Sequence, residues 1–350
     1  MIVQEPNAVR FDPTQGRDHV ESYFLKGNDP TGDRAFWIKA TLFATAREPD
    51  RPVAEGWAIA FDRRGGARKN VAVKHSLPHA DASFDRHGLG VRWGPPAARV
   101  CSGPSARAAL QDGLTLEPGL TRGAISTGRS RITWDLRFSG EERPIVPFPY
   151  EALYRWPFPK SKLVTPYPDL RFEGALLVDG ERWQIDGWRG MQGHNWGRGH
   201  TDLYAWCHAN CWNEEPDFVL EGLSGKVRMG PVTTPLVTIV CVRHQGVVYD
   251  FNRPLEIARA GGDVSLRRWT FSSKSRRASI LGIVEAETED MVGLHYPNPA
   301  GPMTYCLNSK LASARIRFEA EGRPPLSLTT RSAALEIGTH EADHGVKMYV

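Results

Sequence analysis

The chain has 350 residues, 41% of them hydrophobic and 24% charged, enough apolar material for one large or two medium domains. The net charge of +4 is dispersed. Its densest basic cluster, Arg63, Arg64, Arg68 and Lys69, is split by Gly65 and Gly66 and reads as a hairpin tip, which argues against a nucleic-acid partner.

No apolar run, residues 236–242 included, approaches the roughly 20 residues that cross a bilayer as a helix. The start, Met1-Ile2-Val3-Gln4-Glu5-Pro6-Asn7, lacks the charged-then-apolar pattern of a leader. The five cysteines, Cys101, Cys207, Cys211, Cys241 and Cys306, are odd in number and form no small-domain disulfide framework. A soluble cytoplasmic protein is expected, and loose contact with a membrane surface stays compatible with it.

Residues 1–20 are polar and read as an arm over the outside of the fold. Strand patterns begin at 19–25 and continue at 35–43, 55–61, 71–75 and 88–93. In 35–43, Phe36, Ile38, Ala40 and Leu42 face one way, and Trp37, Lys39, Thr41 and Phe43 the other. Residues 105–110 are the sole early helix candidate. Strands resume at 124–126 and 131–138. Seven prolines then fall within 144–169, together with Phe148, Tyr150, Tyr154, Trp156, Phe158 and Tyr167. Proline breaks ladders and helices, so this stretch reads as an irregular connector packed against both halves. The expected domains are a β-barrel over 1–143, the connector 144–169 and a second β-barrel over 170–350. The second half offers strands at 171–178, 182–188, 203–212, 218–224, 235–242, 247–251, 255–258, 264–270, 279–287 and 306–319, with strand or short helix at 332–337. Regular short strands with turns rich in the chain's 34 glycines and 26 prolines indicate an all-β antiparallel sandwich or barrel in each half.

The signatures of dinucleotide, phosphate-loop and zinc-protease sites are absent, and Gly222-Leu223-Ser224-Gly225 lacks the spacing of a nucleophile elbow. His194, His200 and His208 with Glu221 are a conceivable metal set, but glycines interrupt them and no compact ligand motif forms. Neither a metal nor another cofactor is assigned.

Residues 190–212 are the most informative stretch. The first part is glycine-rich, and its glycines allow a tight turn that would aim His194 inward. The second part alternates: Leu203, Ala205, Cys207, Ala209 and Cys211 on one face, and Tyr204, Trp206, His208, Asn210 and Trp212 on the other. Large hydrogen-bonding rings on one strand face suit a cavity wall, the alternative being a core strand whose polar tips bond to neighbouring backbone. Trp196, Tyr204, Trp206 and Trp212 offer π faces to a developing cation. Glu221 follows an apolar run, and a carboxyl buried among rings keeps its proton near neutrality and can donate it to an alkene. Asp202 is a second candidate donor, and either acid has the alternative of a surface or capping role. Tyr305, in the aromatic-polar stretch 295–310, is a further pocket candidate.

Gly193-His194-Asn195-Trp196-Gly197 with Tyr204-Ala205-Trp206 resembles the Gly-x-x-Trp-x-Asp-His-x-Trp-Gly region of lipocalin-like carotenoid hydratases, a group that includes tocopherol cyclases and decalin-forming Diels–Alderases. Ser22-Tyr23-Phe24-Leu25 and Ala35-Phe36-Trp37-Ile38-Lys39 resemble its opening strands. The resemblance implies two successive lipocalin-like barrels and cofactor-independent protonation, hydration or cyclisation of an isoprenoid or polyene. This chain has Gly193 where an acidic residue often precedes the His, so no proton donor carries over there.

The expectation is therefore a lyase with His194, Glu221 and Asp202 as catalytic residues. Trp196, Tyr204, Trp206, His208, Asn210, Trp212 and Tyr305 would hold a hydrophobic small molecule. A non-catalytic carrier of such a ligand is the alternative, and a sugar-active sandwich with an open groove is a third.

Overall fold

The structure, a computed structural model, describes residues 3–66, 68–95, 111–226, 228–229 and 232–350. The helix candidate at 105–110 lies outside the described residues. The first sheet has eleven strands. They are β1 (His19–Asn28), β2 (Arg34–Ala44), β3 (Val53–Asp62), β4 (Val71–Pro78), β5 (Ala82–Phe84), β6 (Val91–Trp93), β7 (Gly113–Glu117), β8 (Leu120–Thr127), β9 (Ser130–Ser139), β10 (Ser161–Val178) and β11 (Glu181–Gly197). A short helix, α1 (Ala152–Arg155), precedes β10. The order β4-β3-β2-β1-β11-β10-β9-β8-β7-β6-β5 is antiparallel throughout. The sheet curls until Thr127 Oγ1 on β8 meets both backbone groups of Lys74 on β4, at 2.8 and 2.6 Å.

The second sheet begins with β12 (Leu203–Ala209) and β13 (Phe218–Lys226). A separate two-stranded ribbon of β14 (Arg228–Met229) and β15 (Val232–Thr233) follows. The sheet then takes β16 (Val237–His244), β17 (Val247–Phe251), β18 (Gly261–Ser265), β19 (Arg268–Lys274), β20 (Ala278–Glu285), β21 (Val292–Tyr296), β22 (Thr304–Ala320) and β23 (Leu326–Thr339). Its order is β17-β16-β13-β12-β23-β22-β20-β19-β18, with β21 beside β22. It curls too: Trp269 Nε1 on β19 donates to Ser224 Oγ on β13 at 2.8 Å. The expected all-β, two-barrel lipocalin-like fold is what the chain adopts.

Two of the sequence-based elements differ. Residues 255–258 belong to a helix, α2 (Pro254–Arg259), because proline starts it and the Glu256 side chain caps the Arg253 N–H at 3.1 Å. Residues 264–270 straddle the β18–β19 hairpin. The sheets divide at 198–202, later than the connector read at 144–169, because the long β10 and β11 pair with β9 and β1. The proline run did not reveal this, since β10 carries Pro166 and Pro168 at register shifts where pairing is interrupted.

Each barrel has its own core. Tyr23, Leu25, Phe36, Ile38, Trp134 and Phe172 fill the first, and Phe218, Leu220, Val240, Trp269 and Phe318 the second. A third cluster lies between them. Phe24, Trp37, Trp57 and Met191 from the outer face of the first sheet meet Trp206, Leu294, Tyr296 and Cys306 of the second. Polar clamps cross the same interface. Arg63 donates to the carbonyls of Leu311 and Arg331 at 2.9 Å each, and Asn28 Nδ2 to that of Lys310 at 2.6 Å.

The N-terminal arm is not an external wrapping. Pro6, Asn7 and Ala8 are buried against β11, where Asn7 and Gln192 exchange two side-chain hydrogen bonds at 3.1 and 2.9 Å.

Candidate functional site

A cavity of about 440 Å³ opens between the two barrels. β1 and β2 supply Phe24, Trp37 and Lys39, and β11 supplies Asn195. Across from them stand Tyr204 and Trp206 of β12, Leu223 of β13, Ile239 of β16 and Glu336 of β23. The proline-rich segment roofs it with Phe148, Tyr150, Leu153, Phe158 and Leu163. The rings at the floor are ordered by packing: Phe24 stacks on Trp37 at 4.8 Å, and Trp206 meets Phe24 edge-on at 5.9 Å. Tyr150, Phe158 and Val237 are exposed at the mouth.

Glu221 stands on the same face of β13 as Leu223, two residues along, and so against the cavity wall. Its Oε1 accepts from Thr165 Oγ1 at 2.8 Å and from Trp206 Nε1 at 3.0 Å, while its Oε2 has no hydrogen-bond partner. Burial raises its pKa from 4.5 to about 7, against the opposing pull of those two donors. A protonated Oε2 is the state that this geometry favours.

His200 lines the cavity from the segment between the sheets and stacks on Tyr296 at 5.0 Å. Burial, with Lys39 and Lys160 nearby, lowers its pKa to about 3, so the imidazole is neutral. Lys39 is buried, with its ammonium 3.9 Å from the centre of the Tyr296 ring, and burial lowers its pKa to about 8. Glu336 is engaged by Lys310 at 2.9 Å. Lys310 in turn lies 3.5 Å over Trp37.

Of the residues read from the sequence, Tyr204 and Trp206 line this cavity and Glu221 adjoins it. The alternation of β12 keeps Tyr204, Trp206 and His208 on one face, but only the first two reach the cavity. His208 and Asn210 are buried beyond the cavity, where both bond to the Pro168 carbonyl and tie β12 to β10. Trp212 lies past the strand end at Ala209, where the parity lapses, and packs into the second barrel's core. Tyr305 sits elsewhere, beside His295 and His344. Asp202 is partly exposed and ion-pairs with Lys160 at 2.7 Å.

His194 does not enter this cavity. The glycines around it make no turn, because β11 runs straight through to Gly197. They permit close approach instead: a Cβ at Gly190 or Gly197 would overlap the carbonyl oxygen of Lys26 or Lys160. Strand parity then turns His194 and Trp196 away from the face that carries Gly193 and Asn195. His194 is fully buried, with Nε2 2.8 Å from Glu21 Oε1 and Nδ1 2.7 Å from the Pro6 carbonyl, and it stacks on Tyr23 at 4.2 Å. Gly193 points to the cavity side, and the ring of Phe24 fills the place a side chain there would occupy.

Among the described residues no three His, Cys, Asp or Glu side chains are arranged as a metal-holding group, and the three histidines considered together in the sequence have separate partners: His194 on Glu21, His200 on Tyr296 and His208 on the Pro168 carbonyl. The residues missed were Phe24, Trp37, Lys39, Asn195, His200, Tyr296 and Glu336. One signal was available: a lysine on the Trp37–Phe43 face of β2, among aromatics.

Residues 170–339 match a family described as tocopherol cyclase-like. Two proteins of Mycobacterium tuberculosis strains, each described only as uncharacterised, are 25% identical over 306 residues, 87% of this chain and 82% of theirs. A crystal structure of a provisional AttH from Nitrosomonas europaea superposes with a TM-score of 0.54 at 13% identity, covering 97% of this chain and 98% of that one. CghA superposes with a TM-score of 0.52 at 11% identity, covering 93% and 89%. These two likenesses show a shared fold. The family match over 170–339 agrees with the resemblance to tocopherol cyclases read from the sequence.

Proposed function

We propose, from the lipocalin-like architecture and the tocopherol cyclase-like match over residues 170–339, that the protein is a cofactor-independent lyase of hydratase or cyclase type. Its substrate is a hydrophobic isoprenoid- or polyene-like molecule held between the barrels. The observation that carries this reading is Glu221: a buried carboxyl with its pKa raised to about 7 and one oxygen unpartnered, set against an aromatic cavity.

The chemistry follows from that placement. Glu221 gives its proton to an alkene carbon, and the π bond's electrons form the new C–H bond. The carbocation left on the neighbouring carbon lies among Trp37, Tyr204 and Trp206, each π face worth roughly 0.5–2 kcal/mol to it. Water captures the cation in a hydratase, losing a proton to solvent or to neutral His200. In a cyclase, a π bond or hydroxyl of the substrate captures it instead. His194 acts at a distance, by fixing β1 against β11 through Glu21. The exposed Tyr150 and Phe158 at the mouth suit loose contact with a membrane surface, from which an apolar substrate would be drawn.

The test begins with mass spectrometry of whatever co-purifies with the chain, followed by turnover of that molecule in D2O. Deuterium should enter a carbon of the product. Glu221→Gln should lower kcat about 10²- to 10⁴-fold, the usual worth of a general acid. Wild-type turnover should fall as pH rises through about 7, where Glu221 loses its proton. Full turnover by Glu221→Gln would remove the assignment. A bound ligand that is never turned over would leave a carrier.

A further inference from the structure

A second cavity, of about 390 Å³, lies on the opposite side of β11. Parity separates the two: Asn195 faces the apolar pocket and Trp196 faces this one. The segment around α1 divides likewise, with Tyr150 and Leu153 on the apolar side and Tyr154 and Arg155 on the other. Lys162 lines both cavities.

The second cavity differs sharply in charge. Its walls carry Arg10, Arg17, Arg155, Lys162 and Arg198, against the carboxylates of Asp18 and Glu151. Those two acids are engaged: Glu151 pairs with Arg155, and Asp18 accepts the Ala46 N–H at 2.8 Å. Among the described residues Arg17, Lys162 and Arg198 form no ion pair with a carboxylate. Lys162 is only 5% exposed, and among the described residues its ammonium donates to the Pro159 carbonyl and to no other group. Burial, with Arg198 nearby, pulls its pKa down to about 8. Arg10 lies over the Trp196 ring at 5.1 Å.

An ammonium partly withdrawn from water without a counter-ion is unfavourable, and further cations around the same space add to that repulsion. An anion in the cavity relieves both, and guanidinium forks bind carboxylate or phosphate oxygens in pairs.

We propose that this cavity holds the anionic head group, a carboxylate or a phosphate, of an amphipathic ligand whose apolar body lies in the pocket between the barrels, with Lys162 at the passage between them. The proposal rests on the reading that the interface pocket takes a hydrophobic molecule. It adds that the molecule ends in a negative charge.

Binding of dodecanol, dodecanoate and dodecyl phosphate to the full chain, measured calorimetrically, tests both levels. Dodecanol reports the apolar pocket alone. Both anions should bind at least tenfold tighter than dodecanol, and added salt should erode that advantage. The tighter of the two anions identifies the head group as carboxylate or phosphate. Lys162→Ala with Arg198→Ala should abolish the preference and Lys162→Arg should keep it, while Arg17→Gln with Arg198→Gln, which touch the charged cavity alone, should weaken it and leave dodecanol binding unchanged. If the Lys162 variant fails to fold, Arg17→Gln and Arg198→Gln, both at exposed positions, should each cost several-fold in anion affinity alone. Equal binding of all three probes, or a preference that survives these substitutions, would overturn the proposal and leave the apolar reading standing. Failure of dodecanol to bind would strike the apolar reading itself.

Discussion

Glu21 and Glu221 are both fully buried carboxylates, one in each barrel's sheet, yet their ionisation is opposite. Glu21 accepts from the Arg10 and Phe11 N–H groups at 2.8 and 2.9 Å, from His19 and His194 at 2.8 Å each, and from the Tyr23 hydroxyl at 3.2 Å. Burial alone would raise its pKa, but the hydrogen bonds and charge of the two histidines overcome that and hold it at about 2. Glu221 has two neutral donors on one oxygen and nothing on the other, and its pKa rises to about 7. Desolvation is common to both. The number and charge of the donors decide whether a buried acid becomes a fixed anion that locks strands together or a neutral acid with a proton to give.

The largest effect should come from removing the anion. Glu21→Gln leaves two histidines and two backbone N–H groups facing an amide, a loss of about 3–5 kcal/mol typical of a broken buried pair. Urea denaturation at pH 7 reads it directly. The pH dependence has a definite sign. A carboxyl held at about 2 in the fold and near 4.5 when unfolded stabilises fully above 4.5, and this contribution fades as pH falls toward 2. The gap between wild type and variant should close across that window. A gap that stays constant would mean that shape, and not charge, sets the role of Glu21.

Glu221→Gln should move stability the other way. A carboxyl raised to about 7 penalises the fold once pH exceeds 4.5, because only the unfolded chain then ionises freely. The penalty levels off above about 7, at up to about 3 kcal/mol. The Gln variant should therefore be more stable than wild type at pH 8 and indistinguishable from it at pH 4. Loss of stability at pH 8 would show that the fold does not raise the pKa of Glu221, and the contrast with Glu21 would collapse.

The sequence disclosed one of these carboxylates and concealed the other. Glu221 was legible because it follows Phe218-Val219-Leu220 on a strand, and a carboxylate after an apolar run has few places to point except inward. Glu21 sits between His19 and Tyr23 in an alternating strand, and one of its two histidine partners, His194, is a sequence-distant neighbour brought in by the β1–β11 pairing. That pairing also explains the misread glycines. Gly190, Gly193 and Gly197 answer to the Lys26 and Lys160 backbone and the Phe24 ring, contacts that exist only once the strands are registered. Period-two patterns gave the strands and the inward face of Tyr204 and Trp206. They carried no information on where one barrel presses against the other, which is where Lys39, His200 and Tyr296 become pocket residues.

The same registration makes Gly193 a sensitive point. A methyl group there meets the Phe24 ring, which is itself stacked on Trp37 at the cavity floor. Gly193→Ala should destabilise by about 1–3 kcal/mol, the range for overpacking, and should weaken ligand binding because Phe24 must shift into the pocket. Thermal unfolding and calorimetry measure the two effects separately. Unchanged values would show that Phe24 has room to yield.

The smallest effect is expected at Asp202, an acidic residue near the centre of the sequence signal but outside the cavity wall. It is partly exposed and paired with Lys160, a setting in which an ion pair contributes about 0–1 kcal/mol. Asp202→Asn should therefore change the denaturation midpoint little, and less still at high salt. It should leave turnover intact while Glu221→Gln removes it. A collapse of turnover in Asp202→Asn with the fold preserved would make Asp202 the proton source, and the raised pKa of Glu221 would then be a consequence of packing alone.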